Sequence, residues 1–138
     1  MDRLIDLLKE KNHYLESFFA VNEHELSNFS EGEFENVEGF YQAREKILEF
    51  IKRIDLKIDL EQKTSTGIIT DDFRTEVEAC LMVKDEWVTA ILQQDLQVIS
   101  YVENEKSNII RELSATRQTK RAVTAYAKTE LLKQLEEK

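Results

Sequence analysis

Glu10 and His13 stand three residues apart, the spacing that lets two side chains on one helix reach the same inward metal ion, as the Glu-x-x-His pairs of di-iron helical bundles do. Such a centre needs a second copy. The only other histidine, His24, has Val21 three residues before it, and the stretch of helix between the two imidazoles spans roughly 16 Å, too far for one ion. Both histidines read as solvated. Cys80 is the single cysteine and is followed by Leu81 and Met82, which suits a packing role in a reducing compartment rather than a disulfide. Asp71 and Asp72 read as partners of a helix N-terminus, not as an acid/base pair. Gly32, Gly39 and Gly67 are scattered, so no glycine-rich loop can cradle a phosphate, and short connections offer a nucleophile little pocket. These residues predict a protein that is not an enzyme, with no catalytic residues, no cofactor and no bound metal.

The elements that hold them follow from composition and spacing. The chain has 138 residues, 34% charged and 41% hydrophobic, with three glycines and no proline. That length implies one domain, the low apolar share implies a narrow buried stripe, and the lack of turn residues excludes an all-β fold. Leu4, Leu7, Leu8, Leu15, Phe18, Phe19, Leu26 and Phe29 share a helical face and predict a helix over about 2–29. Ser30 with Glu33 reads as a capping box for a second helix over about 32–60, with Gly32 easing the turn. Its stripe is Phe34, Val37, Tyr41, Ile47, Leu48, Ile51, Ile54 and Ile58, and the polar run from Glu61 to Gly67 ends it. Thr70, Asp71 and Asp72 then open a third helix over about 71–113. Its stripe reads Phe73, Val77, Leu81, Val88, Ile91, Val98, Val102, Ile109 and Leu113, widened by Trp87, Leu92 and Ile99.

The expected architecture is all-α: an antiparallel helical hairpin packed on a long third helix, a three- to four-helix bundle with a C-terminal helical extension. The apolar stripe lapses between Ser114 and Arg121, which predicts a joint and a mobile helical segment over 114–138. No apolar run approaches the length of a signal-peptide core or a spanning helix, so the expected location is the cytoplasm.

Charge narrows the partners. A net charge of −9 repels phosphate backbones and anionic lipid, so neither nucleic acid nor membrane insertion is expected. Between Asn12 and Ala43 there is no lysine or arginine, whereas Glu16, Glu23, Glu25, Glu31, Glu33, Glu35 and Glu38 crowd that stretch. That end is either a solubilising surface or an electrostatic dock for a basic surface or the chain's own tail. The tail is the basic part: residues 114–138 hold six bases and three acids, +3, against −12 for residues 1–113.

Helices of about 28 residues are near 42 Å long and can cover the third helix only to about residue 100. Ile99, Val102, Ile109, Leu113, Val123, Tyr126, Leu131 and Leu135 are therefore the expected partner-binding residues. Either a second copy closes that seam as a homodimer or a partner's amphipathic helix does.

Three stretches of the sequence carry a family resemblance: Glu31 to Phe34 running into Tyr41–Ile47, then Asp95–Ile99, then Glu112–Tyr126 with its basic residues, alanines and closing tyrosine. In order and spacing the chain resembles the flagellar type III export chaperones of the FlgN/FliT class. That resemblance implies a cytosolic helical protein that binds the C-terminal amphipathic helix of an axial flagellar protein, such as a hook–filament junction protein or the filament cap. It also implies prevention of early assembly and delivery to the export gate or export ATPase components, with Tyr126 as a gate contact. The chain has no clear counterpart of the Asn-rich patches of some members, which leaves the client open. The competing expectation is a structural coiled-coil adaptor or stalk component of an export complex, without a client groove.

Overall fold

A computed structural model describes residues 2–65 and 67–136. They form three packed helices and, among the described residues, no strand: α1 (Asp2–Ser30), α2 (Val37–Thr64) and α3 (Asp71–Glu136). The chain divides into two compact units, residues 1–99 and 100–138.

In the first unit all three helices bury residues at alternating three- and four-residue spacings, the period at which helices pack side by side with a shallow crossing. α1 carries two such seams next to each other. Ile5, Leu8, Asn12, Leu15, Phe19, Asn22 and Leu26 form one, and Asn12 donates to the Cys80 carbonyl, Phe19 meets Trp87 and Asn22 donates to Gln94. These partners rise in number together, so α1 and α3 run parallel. Leu4, Leu7, Lys11, Tyr14, Phe18, Val21 and Glu25 form the other. Here Lys11 pairs with Asp55 at 2.7 Å, Tyr14 stacks on Phe50 at 5.3 Å and Phe18 lies under Arg44, so α1 and α2 are antiparallel. α2 answers with Val37, Phe40, Arg44, Ile47, Ile51, Ile54 and Ile58, none of them exposed.

On α3 the seam differs from the expected stripe. Phe73, Val77, Cys80, Lys84, Trp87, Ile91, Gln94 and Val98 face inward, whereas Leu81 and Val88 are exposed. The reason is register. An apolar set drawn through Leu81 and Val88 lies one residue, about 100° of helix, from the positions that meet α1. Cys80, Lys84 and Gln94 hold those positions without looking like core residues. Leu48 and Tyr41 on α2 are displaced in the same way and are also exposed.

The first turn is built differently from the expected capping box. Gly32 adopts φ +78°, its N–H bonds to the Phe29 carbonyl, and the Glu33 N–H bonds to the Asn28 carbonyl. This is a Schellman C-cap, in which the left-handed residue is normally glycine. Ser30 donates instead to the Ser27 carbonyl. α2 consequently begins at Val37 rather than near 32, after Phe34 has stacked on Phe29 at 4.7 Å. It ends at Thr64 rather than near 60. Thr66, within the expected second connection, lies outside the described residues. At the start of α3 the Thr70 hydroxyl accepts the Phe73 N–H at 3.1 Å, the N-cap expected there.

In the second unit, residues 100–136 belong to the continuous helix α3. Ser114 to Arg121 is helical throughout, without the expected joint. The Thr116 and Thr119 hydroxyls donate to the Glu112 and Ala115 carbonyls four residues back, and no glycine or proline intervenes. Loss of apolar residues removes packing there, not helicity. From Glu103 to Glu136 every residue except Glu105 and Glu130 is exposed. Among the described residues no helix is long and apolar enough to cross a membrane.

Phe40 is 2% exposed and meets Phe29 edge-on. Phe40→Ala should therefore cost about 3–5 kcal/mol in urea unfolding, whereas Val123→Ala, at an exposed site, should change stability by no more than about 0.5 kcal/mol.

Candidate partner-helix groove

The displaced apolar residues of the first unit share a location. Arg44 of α2 reaches Asp95 of α3 at 2.9 Å, and Leu81 and Lys84 line a cavity with Asp55, Ile58 and Gln62. The flank of α3 that carries Leu81 and Asp95 therefore faces α2. Val88, Leu92 and Ile99 share that flank at spacings of seven, four and seven from Leu81. Leu81 and Val88 are 40% and 36% exposed, and Leu92 and Ile99 about 60%. The α2 side of the same boundary carries exposed Tyr41 and Leu48, which with Phe34, Val37 and Arg44 line a depression of about 860 Å³ formed by residues 34–48. Two antiparallel helices thus present facing apolar rows with an ion pair between them. Exposed apolar rows of this kind are what an added amphipathic helix covers in helical bundles.

Arg44 fixes the boundary. Its guanidinium lies 4.9 Å from the Phe18 ring centroid and 5.1 Å from that of Phe40, while its Nη2 donates to Asp95. One side chain thereby ties α1, α2 and α3 together. A planar cation can stack on rings and donate at its edge at once, which an ammonium cannot. Below it a polar layer crosses the α1–α3 interface. Asn22 Nδ2 donates to Gln94 Oε1 at 3.0 Å, and Gln94 Nε2 donates to the Phe19 carbonyl and to Glu23. Asn22 Oδ1 and Asn12 Oδ1 are buried without a hydrogen-bond partner among the described residues.

The residues singled out from the sequence fall in two places. Ile99 lies in the groove. Val102, half-buried, and Ile109, Leu113, Val123, Tyr126, Leu131 and Leu135, all exposed, belong to the second unit. Sequence reasoning assigned Leu81, Val88, Tyr41 and Leu48 to buried stripes and so missed them as surface. Spacing does not separate them, because the set through Leu81 and Val88 alternates between Val77 and Val98 as regularly as the set through Cys80 and Trp87. Glu10 and His13 are both exposed, on the outside of α1.

Comparison with protein-family models, with curated proteins and with solved structures gives no match for this chain.

Arg44→Lys keeps the charge and removes both the ring stacking and the planar donor edge. It should destabilise the protein by about 1–2 kcal/mol in chemical unfolding, with helical content by circular dichroism unchanged.

Proposed function

We propose that this protein is a cytosolic escort that receives an amphipathic helix from a partner in the groove between α2 and α3. The partner read from the sequence resemblance is the C-terminal helix of an axial flagellar subunit, kept from premature assembly and passed to the type III export gate. The observation that carries the reading is the row Leu81, Val88, Leu92 and Ile99, left open toward Tyr41 and Leu48. A subunit helix that is unpaired before assembly exposes an apolar face, and burying it gains about 25 cal/mol per Å² before ordering costs. No catalysis is involved. The exposed apolar residues of the second unit, Tyr126 above all at 70% exposure, are available to export components in the same proposal.

Co-expression with the C-terminal segments of the hook–filament junction proteins, the filament cap and flagellin, followed by size exclusion, tests this directly. One client should co-elute, and Val88→Glu with Leu92→Glu should weaken its capture about tenfold or more without loss of helical content. If none co-elutes, the escort proposal gives way to that of a structural coiled-coil adaptor. Capture that survives the double substitution would place the client elsewhere.

A further inference from the structure

Along the second unit one set of positions keeps to alternating steps of four and three residues from 102 to 134. Val102, Ile109, Leu113, Val123 and Ala127 are its apolar members, and Lys106, Thr116, Lys120, Glu130 and Gln134 stand between and after them. On a continuous helix such a set forms one narrow stripe, the seam by which two helices pack. Val102 and Glu130 are half-buried and the rest of the stripe is exposed. Neither Lys106 nor Glu130 has an ion-pair partner among the described residues. Helices in proteins are stabilised mainly by packing of such a stripe rather than by propensity, so this one calls for a neighbour.

The chemistry of the stripe identifies that neighbour. Steps of four and three read alike in both directions, so two antiparallel copies centred on Gln118 bring each position opposite the one equally far on the other side of the centre. Leu113 then faces Val123 of the second copy, Ile109 faces Ala127, and Lys106 faces Glu130. By symmetry each pair occurs twice. Beside the stripe, Glu105 comes within reach of Lys133 of the second copy. Thr116 faces Lys120, whose stem covers the seam while its ammonium stays in water. Other alignments break the match. A parallel pair sets Lys106, Lys120 and Glu130 each against its own copy, three layers of like charge. An antiparallel pair slipped by one heptad sets Lys106 opposite Val123 or Glu130 opposite Leu113, which leaves a charge in the seam without a partner.

We propose that the second unit is a self-association helix: two copies of this chain pair antiparallel through residues 102–134, in the register that sets Lys106 against Glu130. The stripe is about 50 Å long, and a contact about 10 Å wide along it covers about 500 Å² on each chain. A pair of chains thus reaches the roughly 1,000 Å² at which specific interfaces begin. With half of its positions polar the dimer is weak, with a dissociation constant on the order of micromolar. Tyr126 stays outside the stripe. The pairing concerns the second unit alone and holds whether or not the α2–α3 groove receives a client.

Sedimentation equilibrium of the full chain between about 1 and 200 μM tests this. Expected is a monomer–dimer equilibrium. Leu113→Glu should weaken it about tenfold or more, whereas Leu132→Glu, as exposed as Leu113 but on the far side of the helix, should leave it within about twofold. Lys106→Glu and Glu130→Lys should each weaken association about tenfold or more, and both in one chain should restore it to within about threefold of the parent. A parallel pair gains no such rescue. None of these side chains is buried in the single chain, so circular dichroism well below the dissociation constant should not tell the variants from the parent. A monomer at every concentration leaves the stripe to a different protein and overturns the proposal. Association untouched by Leu113→Glu, equal damage from Leu132→Glu, or single charge swaps that their combination does not rescue each overturns it as well.

Discussion

The first unit depends on α1 carrying two buried seams side by side while α2 and α3 carry one each. A helix with two seams can serve two neighbours at once, and here one seam meets α2 and the other meets α3. The outer helices have no comparable second partner. Ile47 and Ile51 of α2 reach the cluster that holds Ile91 of α3, and among the described residues one ion pair, Arg44–Asp95, joins the outer flanks, whose apolar residues Tyr41, Leu48, Leu81 and Val88 are left at the surface. The open row on α3 therefore follows from the asymmetry of α1 rather than from a local defect in packing. Filling it from within this unit would require a second seam on α2.

The polar layer at Asn22 and Gln94 works against stability and for definition. Two leucines there would bury more apolar area and leave no unsatisfied Asn22 oxygen. Polar groups at seam positions favour the one alignment that pairs them, the best-attested use of such residues in coiled coils. A slip of α3 along α1 by one heptad would bring Trp87 or Tyr101 opposite Asn22 and strand the amide. The same alignment keeps Asp95 within reach of Arg44, so the register of the α1–α3 contact also positions the edge of the groove.

The helical class, the hairpin, the Thr70 cap and the first two helices' common face were legible because they rest on local signals: apolar spacing and a hydroxyl before an acidic turn. What was not legible was which residues of an apolar-rich helix face inward. On α3 nearly every side of the helix offers an apolar residue, and the inward positions at Cys80, Lys84 and Gln94 are small or polar. Leu81 and Val88 looked like better core than Cys80, and only the partners on α1 decide otherwise. The Schellman turn was hidden for a related reason. Ser30, Gly32 and Glu33 can serve either a C-cap or an N-cap, and the Phe29–Phe34 stack, which fixes the chain after Gly32, joins residues whose pairing no periodicity announces. Glu25 was equally concealed, as one acid in a run of acids, although its place on the α2-facing seam of α1 buries it.

The open row on α3 and the acidic hairpin end are separate surfaces of the first unit, and in the proposed escort role this bears on how a client is held firmly and still released. A single deep apolar groove gains affinity through slow dissociation, which opposes hand-over. Two weaker sites engaged by one chain gain through effective concentration, and the complex loosens when either contact is lost. The two surfaces also respond to different conditions: contacts on the apolar row are little affected by ionic strength, whereas those on the exposed Glu31, Glu33, Glu35 and Glu38 are screened by it. A partner carrying a basic segment next to its amphipathic helix would exploit both, and competition for the basic segment alone would then open the complex without any need to pull the helix from its groove.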